Sequence, residues 1–251
     1  MTKFFNNIKT AVLLGGMFGL VLLIGSFWGQ NGLVVAFIVG GFMNVIAFFF
    51  SDKIALAAMR AQEVDERTAP DLYAMVRRLS QNANLPMPRV YICPQEAPNA
   101  FATGRSPRKA AVAITAGALR LLDEHEVEGV MAHELAHVKN RDTLTSCIAA
   151  TIAGAISFLG YMALFTGGGN GRDSNPLLGL AMFILAPIAA AIIQMAISRS
   201  REYVADADGA AIAGTPHGLI SALRKLDAYG KKIPMEHEMP TQSHMFIIKP
   251  L

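Results

Sequence analysis

Two histidines and a glutamate stand together in this 251-residue sequence as His133-Glu134-Leu135-Ala136-His137. A spacing of four is about one helical turn, so on a helix both imidazoles project from one face. From there they can reach a single ion at about 2.0–2.1 Å. Glu134 points beside the pair, where it can take a proton from water activated by that ion. The plainer alternative is an amphipathic helix carrying two exposed histidines. Asp123 as N-cap and Glu126 three residues on have capping-box spacing, which predicts a helix running to about Asn140. Met131, Leu135 and Val138 form its packing stripe.

A catalytic zinc takes three protein ligands and leaves its fourth position to water. The third candidate lies 65 residues beyond His137, in the run Ser198-Arg199-Ser200-Arg201-Glu202-Tyr203-Val204-Ala205-Asp206. Glu202 and Asp206 share a face if that run is helical. Glu202 can supply a carboxylate oxygen to the ion. Asp206 can accept the second N–H of a ligand histidine, fixing its tautomer. The alternative is two solvated acids paired with Arg199 and Arg201.

The elements that must position these groups follow from where charge falls. Hydrophobic residues make up 53% of the chain and charged residues 16%, the latter well below the roughly 25% of soluble domains. Residues 11–50 carry no charge, and residues 143–197 carry only Arg172 and Asp173. Disorder, a fibrous repeat and an ordinary soluble enzyme are excluded; a membrane protein with a polar middle is predicted. A net charge of +3 with no basic run interleaved with aromatics argues against nucleic acid. Cys93 and Cys147 are too few for a disulfide framework and are expected to be reduced and buried.

About 20 apolar residues span a bilayer as helix. Four stretches qualify: Ala11 to Trp28, Leu33 to Phe50, Leu144 to Phe165, and Pro176 to Ile197 with Pro187 as an expected kink. Gly29-Gln30-Asn31-Gly32 is expected as a tight turn between the first two, and 166–175 as a polar loop. The first apolar run is too long for a cleaved signal, so an uncleaved anchor is expected. Lys3, Lys9, Lys53, Arg60, Lys139, Arg141, Arg199 and Arg201 fall on one side under an even number of spans. That places the N-terminus and both charged segments in the cytoplasm. The alternative makes the third and fourth stretches buried core helices of a globular domain.

The polar middle is expected as helix over 52–84, strands at 89–93 and 111–115, and a short edge strand near 100–103. An extended substrate could add to that edge through main-chain hydrogen bonds, making Asn99, Ala100 and Phe101 substrate-binding candidates; a plain loop is the alternative. Arg105, Arg108 and Lys109 read as a solvated turn, with a phospholipid-facing patch as the alternative. The fold class is a mainly α membrane protein, four transmembrane helices with a cytoplasmic α/β domain. Its segments are a transmembrane hairpin (1–50), a catalytic segment (51–142), a second hairpin (143–197) and a C-terminal segment bearing the third ligand (198–251).

The run from Asn99 to Asp142 and the run SRSREYVADADG from Ser198 to Gly209 resemble the HtpX-type membrane-bound zinc metalloproteases, in the peptidase family that also includes the CAAX prenyl endoproteases. The resemblance implies a zincin-like domain and one zinc per chain on His133, His137 and Glu202. It also implies Glu134 as general base and Asp206 behind a ligand. The expected partners are protein or peptide substrates, damaged or misfolded membrane proteins among them, and the lipid bilayer. The expected place is the bacterial inner membrane with cleavage on the cytoplasmic side. The family pattern continues into a His-Pro-Pro motif and an arginine that help stabilise the tetrahedral intermediate. No such motif occurs here, and His244 has a different context. Either the sequence is a piece of a longer protein or another group, for instance Tyr203, takes that role. Two other functions are carried as alternatives. One is a catalytically silent zinc-binding membrane scaffold; the other is a small transporter, disfavoured because the spans lack ionisable residues.

Overall fold

The computed structural model describes residues 29–166 and 176–232. The expected first span, most of the polar loop at 166–175 and His244 lie outside the described residues. The chain divides into two compact units: residues up to Phe48 with Thr145–Ser200, and Phe49–Leu144 with the residues from Arg201 onward.

The first unit takes its described residues from three apolar helices: α1 (Gly29–Phe49), most of α6 (Asp142–Thr166) and the first two-thirds of α7 (Pro176–Ala213). α1 contains no charged residue. Phe37 stacks on Phe158 at 4.4 Å. Ala149, Ala153, Ala186 and Ala190 are buried, while Ile38, Phe42, Ile152, Leu159, Leu185 and Ile188 are exposed. Small residues inside and large apolar residues outside are what lipid, rather than water, permits. α6 and α7 are long and apolar enough to cross a membrane, and only 22% and 11% of their apolar windows are buried. A globular protein's core helices would be mostly buried, so that alternative fails.

Gly29-Gln30-Asn31-Gly32 is not a turn: these residues are helical and belong to α1. Pro187 lies within α7, which is continuous through it. Cys147 is only half-buried, a correction to its expected burial; its place on α6 among outward apolar residues explains it.

The second unit is built on a four-stranded sheet in the order β1-β2-β4-β3. Its strands are β1 (Gln62–Val64), β2 (Arg89–Cys93), β3 (Ala100–Thr103) and β4 (Ala111–Thr115). β2 and β4 pair in parallel, while β1 and β3 add antiparallel at either edge. Alternation splits the side chains between two faces. Val90, Val112, Ile114 and Ala100 join the main core with α3 (Pro70–Asn82) and α5 (Glu124–Lys139). Tyr91, Cys93, Phe101 and Ala113 pack on Leu56 and Met59, from and just beyond α2 (Ser51–Ala58). Burial pushes the Cys93 thiol up to about 11, leaving it unreactive.

The uninterrupted helix expected over 52–84 is instead α2, β1 and α3. Arg60 takes a left-handed φ of 46° that ends α2. Asp65 then accepts the Arg67 and Thr68 amides in a turn, and Pro70 starts α3. Two further helices had no sequence expectation: α4 (Ala116–Leu121) and α8 (His217–Lys232).

α8 holds the start of α5. The capping box forms as expected, with the Asp123 amide donating to Glu126 at 2.9 Å and the Glu126 amide donating to Asp123 at 3.0 Å. From α8, Lys225 Nζ reaches Glu126 Oε2 at 2.6 Å and the Ser221 hydroxyl donates to Oε1 at 2.6 Å. Burial pushes the Glu126 carboxyl up, but the Lys225 and Ser221 bonds outweigh it and hold it below the usual carboxylate range. A lowered folded-state pKa gives stability that is present above the unfolded value of about 4.3 and is lost as pH falls through the folded one. Lys225→Met should therefore lower stability at pH 7. The deficit should shrink below about pH 4, as read by thermal unfolding across pH.

Candidate metal centre

α5 carries His133 and His137 one turn apart, with their rings perpendicular and centroids 4.7 Å apart. Their Nε2 atoms face each other at 3.1 Å. Glu202 Oε2, from α7, lies 3.7 Å from the first and 3.9 Å from the second. Donor atoms about 2.1 Å from one tetrahedral ion stand about 3.4 Å apart. The three measured separations bracket that value, so this donor set fits a small cation.

Behind the histidines stand two carboxylates. His137 Nδ1 is 2.7 Å from Asp142 Oδ2. A carboxylate only accepts, so Nδ1 carries the proton and the Nε2 lone pair is turned inward. His133 Nδ1 is buried and lies 3.1 Å from Asp206 Oδ1 without the alignment of a hydrogen bond. Asp142 is itself gripped by Arg201, whose Nε and Nη2 both meet Oδ1; Nη2 also donates to the Asn140 carbonyl at 3.1 Å. Arg201 is thus committed to Asp142 rather than to Glu202.

The close approach of α7 to α5 depends on Gly209. A Cβ there would stand 3.0 Å from the His133 Cα and 3.1 Å from its nitrogen. The same helix buries Ala205 and Ile212 in the main core.

Burial is the main cause of the electrostatics. It pushes Glu134 up to about 7, against the charge of His137 and a hydrogen bond from the Ala102 amide. It pushes His133 down to about 4, helped by His137. For His137 burial opposes charging, but Glu134, Asp142 and Glu202 outweigh it and raise its pKa. At neutral pH His133 is therefore an uncharged imidazole, and Glu134 sits near the pKa best suited to moving a proton.

Other predicted residues are placed variously. β3 is an edge strand, and its Ala102 amide reaches Glu134. Asn99 and Ala100 are buried, and Phe101 packs into the smaller core on the other sheet face. Tyr203, beside Glu202, is 76% exposed. Asp142 and Arg201 were missed as contributors. The only sequence signal was Asp142 five residues after His137, too far for a same-face helical pair and informative only once Asn140 and Arg141 are seen to end the helix.

With this geometry in view, the comparisons are decisive. The model of peptidase family M48 matches residues 66–245. The chain belongs to peptidase family M48. It is 52% identical to a protease HtpX homolog of Methylibium petroleiphilum, over 98% of this chain and 89% of that one. A Burkholderia mallei protease HtpX homolog is 53% identical over 98% of this chain and 88% of its own length. Among solved structures, S. mikatae Ste24p shares the fold with a TM-score of 0.59 at 18% identity. It covers 97% of this chain, which spans 62% of that structure. The M48 chain is thus a membrane-bound metalloendopeptidase, as its motifs implied.

Two substitutions test the supports. Asp142→Asn should weaken metal binding about 10–100-fold through loss of the charged partner of His137. Gly209→Ala should weaken it too, by forcing α7 off α5. Competition with a fluorescent zinc chelator measures both, and unchanged affinity in both would show that these contacts do not hold the site.

Proposed function

We propose that His133, His137 and Glu202 hold one zinc ion and that Glu134 is the general base of peptide hydrolysis. The observation that carries this is the pair of Nε2 atoms 3.1 Å apart, with the His137 lone pair turned inward by Asp142. Two ring nitrogens this close share either a proton or a cation, and the Glu202 oxygen 3.7 and 3.9 Å from them completes a donor set for the cation. A His₂Glu set with an open fourth position favours zinc. The bound ion supplies Lewis-acid polarisation of the scissile carbonyl and acidifies water. Glu134 takes the proton of the attacking water and returns it to the leaving amine; burial, which lifts its pKa to about 7, suits it to both steps. Asp142 and Asp206 orient the imidazoles. The substrate lies along the β3 edge, paired through main-chain hydrogen bonds beside Asn99, Ala100 and Phe101, with Tyr203 exposed near Glu202.

The substrates in this reading are damaged or misfolded membrane proteins, cut at the cytoplasmic face of the bacterial inner membrane by a chain that crosses it several times. Support comes from the lysine and arginine bias around the apolar stretches and from the HtpX homologs.

Glu134→Gln should lower cleavage of an unfolded test protein by about 10²–10⁴-fold while zinc content stays near one per chain. Chelation should abolish wild-type cleavage and added zinc should restore it. A variant that cleaves as well as wild type sinks the mechanism. Full activity after complete metal removal sinks the site.

A further inference from the structure

A second cavity, of about 470 Å³, is lined by Phe49, Phe50, Lys53, Arg105, Arg108 and Lys109. Arg89 also lines it, but Asp52 pairs with Arg89 at 2.8 Å and cancels its charge. The other four cations have no carboxylate within ion-pair distance among the described residues. Two lie over aromatic rings instead: Lys53 over Phe50 at 5.7 Å and Arg105 over Phe49 at 5.2 Å. Such contacts orient a cation without neutralising it.

The loop presenting three of these cations is built. Gly104 has a φ of +116°, and a Cβ there would fall 2.3 Å from the Lys109 carbonyl oxygen. Only glycine closes this loop, and the 3₁₀ turn Pro107–Lys109 then sets Arg108 and Lys109 side by side. Four like charges around one cavity repel one another, and an anion relieves that repulsion. Phe49 and Phe50, each about half exposed, stand where the uncharged α1 gives way to the charged Asp52 and Lys53. Half-exposed apolar rings beside charged residues at such a boundary offer the apolar part of a lipid a surface to cover.

We propose that this cavity binds the phosphate of an acidic phospholipid headgroup. The arginine forks and lysine ammonium groups take the phosphate oxygens, and the Phe49 and Phe50 rings side the glycerol. A choline headgroup brings its own positive charge and is disfavoured. This rests on membrane attachment and not on peptide hydrolysis.

Native mass spectrometry of the full chain in neutral detergent tests it, with short-chain phosphatidylglycerol, phosphatidylcholine and inorganic phosphate as probes. Phosphatidylglycerol should bind at least tenfold tighter than phosphatidylcholine, and an equal concentration of inorganic phosphate should not displace it. Each removed cation should cost about fivefold, so Arg108→Glu with Lys109→Glu should cost more than about 25-fold, while Arg108→Lys stays within about threefold of wild type. Arg105 is left intact because it also lines the small cavity beside His137. Zinc content and thermal midpoint near wild type show that the variants are folded. Equal binding of the two lipids, or charge reversal without effect, overturns the proposal; ready displacement by inorganic phosphate shows a free-phosphate site and overturns the lipid assignment.

Discussion

Two imidazole nitrogens and a carboxylate oxygen lie within 4.8 Å of one another, close enough that they must share a proton or a cation. Much of the second unit holds them there. The His133–His137 spacing comes free with a helix, but the ring orientations do not. Asp142 fixes one ring through a 2.7 Å contact, and Arg201 in turn fixes Asp142. Each layer is held by charge-assisted hydrogen bonds, roughly twice as strong as neutral ones.

The Asp142–Arg201 pair has a second consequence. Asp142 opens α6, and Arg201 lies late in α7. The pair therefore staples the residue where the chain departs for its apolar excursion to a residue near where it returns. The adjacent Glu202 is delivered by that staple, so the 65 residues separating it from His137 cost little positional precision. Losing the pair would loosen the imidazole and the incoming carboxylate together.

What could be read from the sequence was local chemistry with a strict period. The capping box of α5, strands β2, β3 and β4, the histidine pair and the shared face of Glu202 and Asp206 each depend on neighbours within a few residues. What could not be read depends on partners distant in sequence. β1 has three residues and exists because Gln62, Glu63 and Val64 pair with Ile92, Tyr91 and Val90; alone, it sits within a pattern that suits a helix. α8 packs Leu219, Ala222 and Leu226 into the core, a spacing that could have been recognised beyond Gly214. Asp142 lies past the end of α5, so no helical periodicity connects it to His137. The turn expected at Gly29–Gly32 failed for the opposite reason: the local signal of four residues is overridden by the apolar helix they belong to.

α7 carries Glu202 on the same helix as a long apolar stretch. Its 38 residues rise about 57 Å at 1.5 Å each, well beyond the roughly 30 Å of a bilayer's hydrocarbon. The excess falls at the end carrying Arg199, Arg201, Glu202, Asp206 and Asp208, charges too costly to leave in lipid. Within the second unit Glu202 is carried on the charged end of α7, an arm of helix rather than a loop. Gly209 then lets that arm lie against the His133 backbone, and buried Ala205 and Ile212 fix its rotation. Rotation is the coordinate that matters most, because turning a helix by one residue's 100° would swing Glu202 away from both imidazoles. The third donor therefore depends less on its own side chain than on small and apolar residues one and two turns further along.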